Sequence, residues 1–268
     1  MTAAGDNVVL VDVADRVATI TLNRPDQRNA LNRDVRRALP EAITNCDADD
    51  AVDVMILTGA DPAFCAGVDL KEFGGGQVQD GEGFAHVGDG RTSFRGALPP
   101  HIKPLIGAVN GVAVTGGFEV ALNCDFLIGS DRARFSDTHA RVGVMPGWGL
   151  TVLLAQRIGI ARAKQMSFTG NYIDARTALE WGLLNHVVPH DELLPFCRKL
   201  AADIVSNDQM GVRRMLQTYN EVTGTTVDEG WEIEQRVSRA WEGPGFDPAS
   251  IEARRGAIVE RGRQQIQG

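Results

Sequence analysis

Alternation of apolar and polar residues predicts two β-strands at the start of the chain. In the stretch "NVVLVDVADRVATITLNRP", β-branched residues alternate with polar ones over about residues 8–13 and 17–22, on either side of a short polar turn. The pattern then changes, and in "NALNRDVRRALPEAITNCDAD" the apolar residues recur at helical spacing. That spacing predicts a helix that begins near Asn32, with Pro40 as a weak point in its middle.

Longer apolar runs predict buried strands further along the chain. They are "VDVMILTG" (52–59) and "PLIGAVNGVAV" (104–114), the second of which is broken by the turn pair Asn110–Gly111. The stretch "GGFEVALNC" then opens a helix, and "DFLIGSDRARFS" predicts two further short strands. Strands and helices thus alternate through about residue 145, which is typical of an α/β core.

The strand pattern stops after about residue 189, where "DELLPFCRKLAADIVS" and "DEGWEIEQRVSRAWEG" have helical spacing. We therefore predict an α/β core at residues 1–195 and a helical C-terminal subdomain at residues 196–268. Within the core, "FGGGQVQDGEGFAHVGDGR" (73–91) is rich in glycine and aspartate and lacks sustained periodicity. It predicts a mobile loop, which is either a tolerated insertion or a flap near a site.

The composition is that of a globular protein that needs no metal or disulfide to fold. Of its 268 residues, 43% are hydrophobic and 23% are charged, which suffices for a full core. The formal net charge of −8 argues against a broad nucleic-acid-binding surface, because such a surface needs clustered basic charge. The four cysteines fit neither a zinc pattern nor a CxxC redox pair, and are expected to be reduced core residues: Cys46, Cys65, Cys124 and Cys197.

Targeting segments are not evident in the sequence. The first residues lack a basic region followed by an apolar run, and no apolar run approaches about 18 residues. We therefore expect no signal peptide, no membrane span and a cytoplasmic location.

One carboxylate, Glu119, lies in the apolar and glycine-rich stretch "TGGFEVAL". Glycines before a helix leave backbone N–H groups free at the positive end of the helix dipole. A second glycine-containing strand end, "FCAGVDL" (64–70), could bring another N–H group, and two converging N–H groups can stabilise an anionic oxygen. A partly desolvated glutamate suits work as a general base, although plain turn chemistry and a solvated helix face would explain the same residues.

Several common catalytic motifs are missing from the sequence. It contains no GxSxG nucleophile elbow, no Walker A loop and no HExxH pair, and "GGGQVQDG" lacks the strand–turn–helix setting of a dinucleotide fingerprint. These observations disfavour serine hydrolases, P-loop NTPases and Rossmann dehydrogenases.

Five stretches together resemble the enoyl-CoA hydratase/isomerase (crotonase) family, and they follow the family's order over residues 19–189. They are "ITLNRPDQRNALN", "VMILTGADPAFCAGVDLKEF", "PLIGAVNGVAVTGGFEVALNCDFLIGSDRARFS", "RVGVMPGWGLT" and "TGNYIDARTALEWGLLNHVVP". The resemblance implies a crotonase-like α/β spiral of ββα turns with a C-terminal helical trimerisation region. It also implies a lyase that acts on an acyl-CoA thioester, assembles as a trimer or a dimer of trimers, and needs no cofactor, since coenzyme A belongs to the substrate.

The same resemblance implies roles for individual residues. The backbone N–H groups of Val68 and Gly116 would form an oxyanion hole for the thioester oxygen. Arg24 and Arg28 would contact the phosphates of coenzyme A by charge-assisted hydrogen bonds, unless "RPDQRNA" is simply a solvated basic loop. The further substrate-binding positions are Ala30, Ala66, Gly67, Asp69, Leu70, Gly147 and Trp148.

This chain departs from the family pattern at the second catalytic residue. Hydratases of the family use two glutamates, of which Glu119 matches the first. The second would lie in a stretch like "F-x-x-P-E-x-x-x-G", but this chain has "FSDTHARVG", with Thr138 and His139 in place of the proline and the glutamate. Histidine can act as an acid or a base near neutral pH, and the neighbours Asp137 and Arg141 could tune it.

Three functions therefore remain open at this stage. The first is an enoyl-CoA hydratase that works with a Glu119–His139 pair. The second is an isomerase or another enolate-forming enzyme with Glu119 as its sole base. The third is a weakly active acyl-CoA-binding oligomer. In addition, the bulk of Trp148 and Leu150 predicts a restricted acyl pocket, unless both side chains pack in the core.

Overall fold

A computed structural model describes residues 7–69, 96–241 and 248–267 of the chain. The predicted loop at 73–91 and the predicted binding residue Leu70 lie outside these residues. The chain divides into two compact units, Met1–Val212 and Arg213–Gly268. The domain boundary that the sequence places at residue 195 stays a prediction.

Ten strands lie in the described part of the first unit. They are β1 (Val9–Ala14), β2 (Val17–Leu22), β3 (Val54–Gly59), β4 (Ala63–Cys65), β5 (Leu105–Val109), β6 (Val112–Val114), β7 (Phe126–Ser130), β8 (Arg134–Ser136), β9 (Ile173–Asp174) and β10 (His186–Val188). They form a six-stranded sheet in the order β1-β2-β3-β5-β7-β10 and a four-stranded sheet in the order β4-β6-β8-β9. All pairings are parallel except β1 with β2 and β8 with β9.

The α-helices in the described part of the first unit are α1 (Arg33–Ala48), α2 (Gly116–Leu122), α3 (His139–Val142), α4 (Leu150–Ile158), α5 (Ile160–Thr169), α6 (Ala175–Glu180) and α7 (Leu193–Val205). Helix α8 (Gln209–Val222) runs across the division, and α9 (Val227–Trp241) and α10 (Pro248–Gln267) belong to the second unit. Parallel sheets followed by C-terminal helices confirm the predicted α/β class. Across the described residues, every helix falls short of the length or the apolar character that crossing a bilayer requires.

The central strands of the six-stranded sheet are covered on both faces, whereas the edge strand β1 is largely exposed. Along β3, Val54 and Ile56 pack with Cys197 and other residues of α7, whereas Met55 and Leu57 point into the larger core cluster on the opposite face. A strand buried on both faces has no polar side to expose. This burial explains why the sequence shows a continuous apolar run there instead of an alternation.

Helix α1 begins where the sequence predicts. The side chain of Asn32 caps it by accepting a hydrogen bond from the N–H of Val35. The helix continues through Pro40, whose side chain is buried. A proline inside a helix forfeits one backbone hydrogen bond, and burial of the apolar face of α1 compensates for that loss.

The predicted strand at 104–114 is two strands that belong to different sheets. β5 lies in the six-stranded sheet and β6 in the four-stranded sheet, with the predicted turn Asn110–Gly111 between them. The Asn110 side chain accepts a hydrogen bond from the N–H of Gly59 at 3.3 Å and donates one to Asp61 at 2.9 Å. The chain therefore crosses from one sheet to the other at this turn, and β6 leads directly into α2.

Candidate active site

Glu119 lies in the first turn of α2 and is 2% exposed. Its Oε1 accepts hydrogen bonds from the backbone N–H groups of Trp148, at 2.8 Å, and Leu150, at 3.4 Å. The segment that leads into α4 therefore holds one oxygen of the carboxylate and leaves the other, Oε2, available. This burial rules out the solvated helix face that the sequence left open.

His139, the first residue of α3, faces Glu119 across the start of the two helices. It is 6% exposed, and its Nε2 lies 3.6 Å from Oε2 of Glu119. Its Nδ1 lies 2.6 Å from Oδ1 of Asp137, and the same oxygen accepts the backbone N–H of His139 at 3.1 Å. The imidazole thus stands between two buried carboxylates, with one ring nitrogen directed at each.

These contacts decide the charge of the imidazole. Burial lowers the pKa of His139, but the hydrogen bond to Asp137 and the interaction with Glu119 outweigh burial and raise the pKa to about 9. Burial raises the pKa of Asp137, but hydrogen bonds from His139 and Ser167 outweigh it, so that this pKa falls below its usual value. At neutral pH the site therefore contains an imidazolium ion beside an ionised Asp137.

Two threonines tie the start of α2 to the start of α3. The hydroxyl groups of Thr115 and Thr138 are hydrogen-bonded to each other, and the N–H of Thr115 donates to the carbonyl of Ser136 at 3.0 Å. Thr115 has a φ of 52°, which is costly for a residue with a branched side chain. The sequence singled out Thr138 only as a departure from the family's proline, and it did not predict this link between the helices that bear Glu119 and His139.

The structure brings Val68 and Gly116 together. Val68 bridges to Leu31, with the N–H of Leu31 donating to Gly67 and the N–H of Asp69 donating to Leu31. In this parallel bridge, Leu31 forms its hydrogen bonds with the residues on either side of Val68 and not with Val68. The N–H of Val68 itself therefore points away from Leu31. Gly116 is the first residue of α2, where N–H groups lack a partner within the helix, and a Cβ at Gly116 would lie 3.4 Å from Val68. Both predicted oxyanion donors thus lie next to each other.

Close backbone approaches explain the glycines around this point. A Cβ at Gly117 would lie 2.3 Å from the carbonyl oxygen of Cys65, so α2 packs directly on β4. Gly67 has a φ of +92°, and its Cβ would lie 2.9 Å from the carbonyl oxygen of Val114. These glycines allow the end of β4 and the start of α2 to meet.

Trp148 and Leu150, the bulky residues near the start of α4, differ in their surroundings. The ring of Trp148 lies over Gly116, since a Cβ there would be 2.8 Å from Cζ3 of Trp148. Leu150 is 1% exposed and belongs to the main core cluster. Asn123, which the sequence did not predict, fixes this segment by donating to the carbonyls of Glu119, at 2.8 Å, and Trp148, at 3.0 Å. Gly147 is exposed, and a Cβ added to it would meet no atom of the described part of the chain within 4 Å.

The predicted phosphate-binding loop is held by internal hydrogen bonds. The guanidinium of Arg24 donates to the carbonyl of Ala30 at 2.6 Å and to Asp69 at 3.2 Å, while Arg28 is exposed. Buried Asn29 donates to the carbonyls of Ala60, at 2.7 Å, and Ala63, at 2.6 Å, and accepts the N–H of Arg24 at 2.9 Å. Arg24 therefore shapes the loop, and Arg28 presents the more accessible cation.

The loop borders an open cleft of about 1070 Å³, to which Arg24 and Asp69 contribute. The N–H of Ala66 donates to the carbonyl of Arg28 at 3.0 Å, which ties the loop to the end of β4. The cleft and the oxyanion donors are thus linked through the same short backbone segment. Among the residues that the structure describes, no group of three or more histidine, cysteine or acidic side chains could hold a metal ion.

Comparison with known proteins shows a consistent similarity. The family model described as enoyl-CoA hydratase/isomerase matches residues 12–243. The chain is 39% identical over 227 residues to a probable peroxisomal enoyl-CoA hydratase 1 of Arabidopsis thaliana, covering 84% of this chain and 82% of the relative. It is 36% identical over 232 residues to a crotonyl-CoA hydratase of Syntrophomonas wolfei, covering 86% of this chain and 88% of the relative.

Solved structures show the same similarity. An enoyl-CoA hydratase from Mycobacterium tuberculosis H37Rv is 46% identical and superposes with a TM-score of 0.73, covering 87% of this chain and 97% of that chain. An enoyl-CoA hydratase from Bacillus anthracis is 30% identical and superposes with a TM-score of 0.81, covering 94% of this chain and 96% of that chain.

Proposed function

The chain belongs to the enoyl-CoA hydratase/isomerase family, and we propose that it adds water across the double bond of a 2-enoyl-CoA. The observation that carries this proposal is the buried pair of Glu119 and His139, whose Oε2 and Nε2 atoms lie 3.6 Å apart. Hydration needs one group that takes a proton from water and one that gives a proton to carbon, and this pair supplies both. The relatives named enoyl-CoA hydratase support the same reaction over the sole-base and binding-only alternatives.

We assign the thioester oxygen of the substrate to the backbone N–H groups of Val68 and Gly116. Negative charge develops on this oxygen as the enolate forms, and fixed N–H donors stabilise it more in the transition state than in the ground state. Trp148, which lies over Gly116, borders the acyl chain. The exposed Arg28 is the better candidate for the phosphates of coenzyme A, because Arg24 is bonded to Ala30 and Asp69.

The reacting water lies against both Oε2 of Glu119 and Nε2 of His139. A water oxygen about 2.8 Å from each atom fits beside the line that joins them. The Glu119 carboxylate takes a proton from this water while the water oxygen bonds to the β carbon of the substrate. The His139 imidazolium then gives its proton to the α carbon, in the role that a second glutamate has in other hydratases of the family.

We also propose that the protein acts in the cytoplasm as a trimer or a dimer of trimers and needs no cofactor. Its family supports the assembly, and both proton transfers are assigned to side chains. One relative is named as peroxisomal and another as mitochondrial, so that location varies among relatives of this chain.

The loss of absorbance from the conjugated thioester tests the proposed reaction. Short- and medium-chain 2-enoyl-CoA substrates should lose this absorbance in the presence of the protein, and the product should be the 3-hydroxyacyl-CoA. A 3-enoyl-CoA offered in parallel should not be converted at a comparable rate. Absence of hydration at every chain length, together with conversion of the 3-enoyl-CoA, would show that the protein is an isomerase.

A further inference from the structure

We infer that Asp137 is a positioning residue of the hydration reaction. Its carboxylate fixes the His139 ring, with Nδ1 as a donor toward Asp137 and Nε2 directed at Glu119 and the α carbon of the substrate. This inference rests on the proposed function and adds a third residue to it. The family pattern F-x-x-P-E-x-x-x-G specifies no residue at the position of Asp137, so the resemblance assigns it no role.

Two hydrogen bonds to the same oxygen define the position of the ring. Oδ1 of Asp137 accepts both the backbone N–H of His139, at 3.1 Å, and the Nδ1–H of its ring, at 2.6 Å. Asp137 is 1% exposed, so water does not compete for these bonds. With Nδ1 occupied in this way, only Nε2 remains for proton transfer.

Among the residues that the structure describes, two charged groups act on the ring. Arg141, two positions further along, donates instead to the carbonyl of Thr169 at 3.2 Å and to Asn171 at 2.9 Å. The charged groups that act on His139 are Asp137 and Glu119, which oppose it from two sides. Loss of the Asp137 charge would therefore leave Glu119 as the remaining anion beside the imidazole.

The path of the protons through one turnover defines the role of Asp137. Water loses one proton to Glu119 as its oxygen bonds to the β carbon, and the electrons of the double bond move to the thioester oxygen. The enolate then takes the Nε2 proton of His139 at the α carbon, which leaves a neutral imidazole. Glu119 returns its proton to Nε2 across the 3.6 Å that separates the two groups, and one water has been added. Throughout, Asp137 accepts the hydrogen bond from Nδ1–H, which keeps this proton on the ring and favours the imidazolium before each turnover.

The substitution Asp137→Asn tests this role, because asparagine has the same shape without the charge. We expect kcat/KM for 2-enoyl-CoA hydration to fall by about 100-fold at pH 8, with most of the loss in kcat. The alkaline limb of the pH profile should move to lower pH by about one to two units. Asp191→Asn, an exposed aspartate outside the site, is the matched control and should retain the wild-type profile.

A second variant and a second readout make the test decisive. Asparagine keeps a side-chain oxygen that accepts a hydrogen bond from Nδ1–H, and Asp137→Ser removes this oxygen as well as the charge. Asp137→Glu should restore part of the activity and the alkaline limb. The His139 ring, followed by NMR, should titrate at lower pH in Asp137→Asn than in the wild type.

Two failures are distinguishable. A wild-type protein that hydrates 2-enoyl-CoA, with an unchanged pH profile and His139 titration in folded Asp137→Asn and Asp137→Ser, would overturn the role of Asp137 alone. A wild-type protein without hydratase activity would overturn the proposed function and this inference with it.

Discussion

The buried charge of Glu119 is tolerated because its surroundings replace the water it has lost. Two backbone N–H groups bind Oε1, and the imidazole of His139 faces Oε2. Burial of an unpaired carboxylate would cost several kcal/mol, whereas a paired and hydrogen-bonded one is close to balanced. The same contacts hold the proposed base and the proposed proton donor side by side, so the proposed chemistry and the stability of the site depend on the same bonds.

The substitution His139→Gln should change how stability depends on pH. The folded-state pKa of His139, about 9, lies above its ordinary value of 6.5. The stabilisation from its charge is therefore fully present below pH 6.5 and is lost as the pH rises through 9. The free energy of unfolding should be higher for the wild type than for the variant at pH 6.5. This difference between the two proteins should be smaller above pH 9 by on the order of 1 to 3 kcal/mol. Urea unfolding of both proteins at the two pH values measures this, and an equal difference at both would refute the assigned ion pair.

Residue-scale predictions from the sequence succeed where one short motif carries the signal. Glu119 stands out in an apolar stretch, and the register of "FSDTHARVG" puts His139 at the partner position. The contacts of Asn29 could not be predicted, because they join it to carbonyls 31 and 34 residues away. Such bonds depend on how the strands assemble, which local sequence does not specify.

At the scale of elements, α2 is fixed at both ends. Gly117 allows its start to pack against the backbone of β4, and at its C-terminal end Arg157 donates to the carbonyls of Leu122 at 3.1 Å and Cys124 at 2.5 Å. A cation at this end also interacts favourably with the helix dipole. The position of Glu119 therefore depends on contacts outside its own helix.

The substitution Gly117→Ala tests the packing of α2 on β4. Its Cβ would lie 2.3 Å from the carbonyl oxygen of Cys65, a backbone atom that cannot move aside cheaply. We expect a loss of about 3 kcal/mol or more in the free energy of unfolding, measured by urea denaturation. The stability control is Gly147→Ala, where no atom of the described residues lies within 4 Å of the added Cβ and a change below about 0.5 kcal/mol is expected. Equal stability of the two variants would contradict the close packing.

Elements were predictable where the apolar pattern is long. Strand β2 has the predicted bounds, and α1 begins after the predicted Asn32. The short strands β9 and β10 escaped prediction, because two or three residues carry no periodicity. The assignment of β5 and β6 to separate sheets also lies beyond local patterns, since it depends on strand partners far away in the chain.

For the whole molecule, the family predicts an assembly based on three chains. In solution, the molar mass should be three or six times that of the 28.9 kDa chain. Light scattering coupled to gel filtration measures this mass directly. A monomer or a dimer at working concentration would contradict the proposed assembly while leaving the chemistry of Glu119 and His139 untouched.

The central claim is that Glu119 and His139 act as one unit in hydration, and a double-mutant comparison tests it most directly. Values of kcat/KM for a short-chain 2-enoyl-CoA should be measured for the wild type, Glu119→Gln, His139→Gln and the double variant. Each single substitution should lower kcat/KM by about 10²- to 10⁴-fold. The double variant should have a kcat/KM close to that of the less active single variant. Hydration at close to the wild-type rate by His139→Gln would contradict the account.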